Sequence, residues 1–297
     1  MNDRVLISGA SGLLGSTLGI KLSASGYDVL GIRHSHPRNL PFPEVILDLT
    51  DNHVLSGVFR DFKPTTVVHC AALSKVLECQ KNPETAHTLN VAVTRKFTEL
   101  ADDIKSYLIF ISTDQVFDGK SGRFSETDIP APTHVYGQTK LEAENIVAGS
   151  SSDNLILRSN NIVGNGAGWG AGFTEGLLQK FLAKESVSLF TDQFRSPICV
   201  DIMTNVISGC IRKRIGGILH GGGPERLSRY DTGTKLLSAY GLSPELLQSS
   251  SFKSHPQAEF LHEDGSFDTT KLKSLFPEYA NETIYEGFRR DAAARTI

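Results

Sequence analysis

Apolar residues in the first 160 positions alternate between short, nearly continuous runs and longer stretches at helical spacing. Arg4–Ser8, Asp28–Arg33, Glu44–Leu47, Thr66–Cys70, Tyr107–Ser112 and Asn154–Arg158 are short runs rich in β-branched or aromatic residues and are predicted as strands. Between them, Leu13–Ala24, His53–Phe62, Glu84–Ala101 and Tyr136–Ala148 carry helical patterns; the first ends at Gly26 and the second before Pro64. Strands apolar on both faces and separated by helices predict an α/β fold, a Rossmann-like doubly wound parallel sheet with helices on both sides. Beyond Arg158 the pattern loosens. A glycine-rich loop from Gly164 to Gly172 holds the only tryptophan, Trp169. Helices near Phe173–Ala183, Ile202–Arg212, Ser228–Tyr240 and Thr269–Phe276, with short strands at Ser188–Phe190 and Arg195–Val200, suggest a smaller C-terminal α/β region.

Three segments carry chemistry, and each falls at or just after the carboxyl end of a predicted strand, where ligands bind such sheets. In the first, Gly9-Ala10-Ser11-Gly12-Leu13-Leu14-Gly15 follows a strand and opens a helix. Glycines there permit a tight turn and close approach of a pyrophosphate, which the helix N-terminus favours. Gly9, Ser11, Gly12, Leu13, Leu14 and Gly15 are therefore expected to cradle a dinucleotide. NAD users usually place an acidic residue about 20 residues beyond the glycines. This chain has Arg33 instead, whose forked donors suit a 2′-phosphate, so NADPH is expected to be preferred, with NADH as the alternative. Asp48 and Leu49 are placed to meet the adenine edge, and Cys70, Ala71 and Ala72 are small enough for a cofactor to lie over them.

The other two segments are Ser112-Thr113-Asp114 and Tyr136-Gly137-Gln138-Thr139-Lys140. Tyr136 and Lys140 lie one helical turn apart and share a face. An ammonium near a tyrosine favours the phenolate and brings the hydroxyl toward working pH. Lys140 can also hold the nicotinamide ribose. Thr113 is placed to hydrogen-bond and polarise a substrate carbonyl. Thr113, Tyr136 and Lys140 are the candidate catalytic set; Thr113, Asp114, Gln115, Trp169 and Arg195 are candidate substrate contacts. Gln115 cannot act as a proton-transferring base. Arg195 reads equally as a ligand for a substrate pyrophosphate and as a surface charge. Residues 1–160 thus read as a dinucleotide-binding domain with a return around 196–220, and residues 161–195 and 221–297 as a substrate-binding region.

Composition narrows the rest. With 39% hydrophobic and 21% charged residues in 297, the chain is an ordinary globular sequence, and a formal charge of −3 offers no attraction to nucleic acid or an anionic membrane. The N-terminal apolar run is too short for a signal peptide and no stretch approaches membrane-spanning length, so a cytoplasmic protein with four reduced cysteines is expected. No metal is expected: His34 and His36 have no cysteine or carboxylate partner nearby.

These segments resemble the extended short-chain dehydrogenase/reductase superfamily and, within it, the dTDP-4-dehydrorhamnose reductase group. The carriers are Gly9 to Gly15, Ser112-Thr113-Asp114-Gln115-Val116-Phe117-Asp118-Gly119 and Tyr136 to Lys140, together with Thr88-Leu89-Asn90-Val91 and Asp268-Thr269-Thr270-Lys271-Leu272. The resemblance implies NAD(P)H-dependent reduction of a 4-keto group on a nucleotide-linked deoxysugar, as in dTDP-rhamnose biosynthesis, with Tyr136 supplying the proton. Departures from the group's pattern are His255-Pro256, the stretch His262-Glu263-Asp264-Gly265, and Asn160-Asn161-Ile162-Val163-Gly164. Alternatives are a nucleotide-sugar epimerase or other keto-sugar reductase, and a non-catalytic NADP-binding regulatory subunit resembling the β subunit of methionine adenosyltransferase. The expected partner is a nucleotide-linked sugar. A homodimer is compatible with the helix faces, which do not themselves announce one.

Overall fold

The computed structural model describes residues 3–34, 39–150, 152–164, 172–279 and 281–295. Its N-terminal part runs β1 (Arg4–Ser8), α1 (Leu13–Ala24), β2 (Asp28–Arg33), β3 (Glu44–Ile46), α2 (Asn52–Phe62) and β4 (Thr66–His69), then α3 (Val76–Lys81), α4 (Pro83–His87) and α5 (Val93–Asp103). It continues through β5 (Tyr107–Thr113), α6 (Val135–Ala148), β6 (Leu155–Ser159) and β7 (Ile162–Val163). The remainder comprises α7 (Phe173–Leu182), β8 (Val187–Phe190), β9 (Phe194–Arg195), β10 (Ile198–Cys199), α8 (Val200–Lys213), β11 (Gly217–Gly221), β12 (Leu227–Ser228), α9 (Arg229–Ala239), β13 (Leu247–Ser250), α10 (Thr270–Leu275) and α11 (Ile284–Ala294).

Seven strands form one sheet in the order β3-β2-β1-β4-β5-β6-β11, and every neighbouring pair is parallel. This is the Rossmann-like fold that the alternating pattern predicts. The order reverses between β1 and β4, so the loops leaving those strands diverge and open a crevice. Successive strand residues face opposite layers. Val5 and Ile7 join the core beneath α1 and α8, whereas Leu6 joins the one beneath α2, α5 and α6; Ile109 and Phe110 divide the same way. Burial on both faces is why these strands read as continuous apolar runs rather than alternating ones.

Two differences from the predicted elements bear on the site. The helix expected over Glu84–Ala101 is interrupted by a π-helical turn at Thr88–Ala92. Asn90 in that turn is buried, and its side chain is drawn to Leu73 and to Thr139 of α6. The strand expected over Arg195–Val200 is instead two short ones, β9 and β10. Beyond the main sheet, β8 pairs with β13, β9 with β12 and β10 with β7. Residues 262–267 thread between the loop after β5 and β9: Asp264 N donates to Gly119 O at 2.7 Å, and Phe194 N to Glu263 O at 2.7 Å. The stretch His262–Gly265, which departs from the group's pattern, is thus framework, with His262 and Asp264 buried and only Glu263 exposed. Among the described residues no helix is long and apolar enough to cross a membrane.

Candidate active site

The glycine turn has the geometry of an anion cradle. Gly9 sits at φ +68°, where a side chain is strained, and a Cβ there would lie 3.0 Å from Ala71 N. A Cβ at Gly15 would lie 2.4 Å from Gly9 O, so glycine is what lets α1 pack onto the turn. No side chain caps α1, and no acidic residue stands in its first turn. Its leading N–H groups and positive dipole end remain available to a phosphate. Leu14 is buried and anchors the helix, while Ser11 and Leu13 are half-exposed along the cradle.

A cleft of about 920 Å³ adjoins the turn and is lined by His34, Asp48, Leu49, Ala71, Ala72 and Leu73 among others. Thr50 donates to Asp48 Oδ1 from its amide and hydroxyl, 2.9 and 2.8 Å, which holds the carboxyl below its usual range. Cys70 is half-buried at the end of β4, and burial pushes its thiol up to about 12. The space, the small wall residues and the open helix end fit a dinucleotide. Arg33, expected to read a 2′-phosphate, is not among the residues lining this cleft; its Nε lies 3.3 Å from Glu44 Oε1.

The second half of the site is built on β5 and α6. Thr113 ends β5 and lines the same cleft as Tyr136 at the start of α6; its hydroxyl donates to Asp114 Oδ1 and accepts from Gln115 N, both at 3.2 Å. Gly137 makes the approach of α6 feasible: a Cβ there would lie 2.2 Å from Gln115 O. Burial raises the Tyr136 hydroxyl above its ordinary value, outweighing the Thr113 side chain, which pulls it down. This reverses the expectation that Lys140 would bring the tyrosine down. Lys140 donates to Ile111 O at 2.7 Å and lies over the Phe110 ring, 3.8 Å from its centroid. Its own burial draws it down to about 7, with Glu144 and Cys70 pulling the other way.

Tyr136 and Thr113 open into a cleft of about 400 Å³, whose far wall carries Asn161, Gln193, Arg229 and Leu261. Asp114, Gln115 and Arg195 meet there too. Arg195 Nε lies 2.9 Å from Asp114 Oδ2 with both side chains buried, and Gln115 Nε2 donates to the same oxygen at 2.8 Å. Arg195 is thus a buried partner of Asp114 rather than a free surface charge. Gly265 admits the pair, since a Cβ there would lie 2.5 Å from Asp114 Oδ2. Trp169 lies outside the described residues.

Residues that the sequence did not single out as site candidates line the cleft or support its wall. His134 caps α6, accepting from Gly137 N at 3.1 Å through Nδ1, so its Nε2 donates to Gln115 Oε1 at 3.0 Å. It stacks on His262 with centroids 5.1 Å apart. Burial lowers both imidazoles to about 4, helped by His262 in the first case and Arg195 in the second. Half-buried Arg229 donates to Gln193 Oε1 at 3.1 Å, and burial, then the neighbouring Arg195, lowers it to about 10. His262 falls in the stretch already noted as a departure from the group's pattern; for His134 the only local signal is that a histidine N-cap departs from the usual Ser, Thr, Asp or Asn.

A wider network ties the two halves together. Cys70 N and Ala71 N both donate to Ser8 Oγ, leaving its proton for His69 Nδ1 at 2.6 Å. His69 Nε2 then donates to Thr94 Oγ1 at 3.2 Å, and Thr94 to Asn90 O at 2.7 Å. Asn90 Nδ2 reaches Thr139 Oγ1 at 3.1 Å, which donates to Tyr136 O at 2.9 Å. The strand end that leads into the glycine turn and the Tyr136 helix therefore share one hydrogen-bonded frame.

The family model described as RmlD substrate binding domain matches residues 3–282. This chain belongs to that family. The RmlD-family chain has the fold and motifs of the extended short-chain dehydrogenase/reductase superfamily, close to the dTDP-4-dehydrorhamnose reductases. It is 30% identical over 247 residues to a probable low-salt glycan biosynthesis reductase of Haloferax volcanii, covering 82% of each chain. It is 32% identical over 245 residues to methionine adenosyltransferase 2 subunit beta of Xenopus laevis, covering 80% of this chain and 72% of that one. The dTDP-4-dehydrorhamnose reductase of Bacillus anthracis, solved in complex with NADP, superposes with a TM-score of 0.86 at 24% identity, covering 99% of this chain and 100% of that one. The relatives thus include a protein named as a probable reductase and one named as a subunit of methionine adenosyltransferase, and the Bacillus structure shows the shared fold.

Proposed function

We propose that this RmlD-family chain reduces a 4-keto group on a nucleotide-linked deoxysugar, using NADPH or NADH, with Tyr136 as proton donor. The observation that carries this reading is that Thr113 and Tyr136, from the end of β5 and the start of α6, line one wall of the 400 Å³ cleft together. When bound, the nicotinamide supplies the two electrons and the hydrogen that reach the carbonyl carbon. The carbonyl oxygen, gaining charge as that happens, is met by Thr113 and by the Tyr136 hydroxyl. Tyr136 is protonated through neutral pH because burial raises it, and it passes that proton to the oxygen to leave an alcohol. Lys140, near 7 and one turn along α6, is placed to replenish the proton or hold the ribose. Arg229 stands with Gln193 at the far side of the cleft, and its guanidinium suits the diphosphate of a nucleotide-linked sugar.

A second reading has its own support. The likeness to methionine adenosyltransferase 2 subunit beta spans 80% of this chain, and the fold alone does not distinguish a reductase from a binding subunit. The deciding experiment follows NADPH and NADH oxidation at 340 nm against a panel of nucleotide-linked 4-keto sugars, dTDP-4-keto-6-deoxy-L-mannose first. Turnover supports the reductase; tight cofactor binding without turnover on any member supports a regulatory subunit.

A further inference from the structure

We propose that Glu44 governs this protein's choice between NADPH and NADH by holding Arg33. The inference rests on the nicotinamide-cofactor reading above.

Arg33 is the last residue of β2, next to the glycine turn, as the hydrogen bond from Ala10 N to Ile32 O at 3.0 Å shows. A guanidinium at this strand end suits a phosphate on the adenosine ribose. Glu44 stands on the neighbouring strand opposite Gly31, two residues back from Arg33 on the same face. Gly31 has no side chain to block it, and a Cβ there would lie 3.7 Å from Glu44 Cγ. The carboxylate thus lies across β2 and brings Oε1 to 3.3 Å from Arg33 Nε. Both side chains are only 11% exposed, and neither of those two atoms has a hydrogen-bond partner. Charge attraction in a shielded setting holds the pair.

Glu44 therefore acts against a 2′-phosphate by engaging the guanidinium that would receive it. NADH carries no such phosphate and is indifferent to that engagement. Replacing the carboxylate by an amide of the same shape removes the charge that holds Arg33.

The test measures dissociation constants for NADPH and NADH by isothermal titration calorimetry on the full chain, for wild type, Glu44→Gln, Arg33→Gln and the double variant. Glu44→Gln is expected to tighten NADPH about five- to tenfold and to leave NADH within about twofold. The NADPH gain is expected to vanish in the Arg33→Gln background, because Glu44 works through Arg33. Glu44→Ala provides a second variant should the amide perturb the strand edge. An unchanged NADPH to NADH ratio in both Glu44 variants overturns the proposal. So does a gain that survives in the Arg33→Gln background, which would make Glu44 a simple repulsive charge. If wild type binds neither cofactor, the cofactor reading itself falls and takes this inference with it.

Discussion

Glu144 of α6 and Arg158 of β6 form an ion pair buried beneath the Tyr136 helix, with Arg158 Nη2 2.7 Å from Glu144 Oε2 and Nε 3.0 Å from Oε1. Ser112 donates to Glu144 Oε1 at 2.5 Å, Arg158 Nη1 lies 3.4 Å from His220 Nε2, and His220 Nδ1 donates to Phe124 O at 3.0 Å. The pair locks α6 to β5, β6 and β11. Removing one partner leaves an uncompensated buried charge, so Arg158→Met is expected to lose about 3–5 kcal/mol. Urea denaturation measures this, and the double variant Arg158→Met/Glu144→Leu is expected to recover part of the loss. A single variant as stable as wild type would show that the pair carries no structural weight.

Tyr136→Phe keeps the ring and removes the donated proton. Turnover of a 4-keto substrate is expected to fall by about 10²- to 10⁴-fold, while the dissociation constant for NADPH stays within about twofold. Steady-state rates and calorimetry together check it. Cofactor binding lost in parallel with turnover would place Tyr136 in the cofactor cradle rather than at the proton.

Gly137 sits against the Gln115 carbonyl with no room for a methyl group. Gly137→Ala must therefore push the first turn of α6 off β5 and separate Tyr136 from Thr113. A loss of about 1–3 kcal/mol in stability and a fall in turnover of more than tenfold are expected. The turnover fall should exceed that of an alanine placed at the exposed neighbour Gln138.

Four buried histidines give the fold an acid limit. Burial lowers His134 and His262 to about 4 and His69 and His220 to about 3, all below the ordinary value of 6.5. The unfolded chain binds more protons than the fold between those values, so stability is full above pH 6.5 and is lost as pH falls toward 4. Each group is expected to contribute roughly 1 kcal/mol of loss at pH 5.5 relative to pH 7.5. Denaturation curves at the two pH values test the sum, and equal stability at both would mean that these imidazoles take up protons in the fold as readily as in the unfolded chain.

Much of the architecture was legible from local pattern alone. β1, the glycine turn and α1 could be read because each depends on neighbours in the chain: an apolar run, a residue free to turn, a periodic helix. Tyr136 and Lys140 could be paired for the same reason, since one helical turn separates them. The helix over Glu84–Ala101 was less legible. Its π-helical turn accompanies the reach of Asn90 to Leu73 and to Thr139, and such distant partners leave no mark on local periodicity.

By itself, then, the chain determined a parallel α/β sheet, its glycine turn and the identity of the candidate redox residues, because short-range sterics and helical or strand periodicity are written in adjacent positions. Tertiary structure decided what those residues face. Arg33 meets Glu44, and Arg195 meets Asp114 across 81 positions of chain. Tyr136 is raised by burial rather than lowered by Lys140. Charge state and hydrogen-bond partner depend on the dielectric and the atoms within a few ångströms, and only the folded chain brings those together.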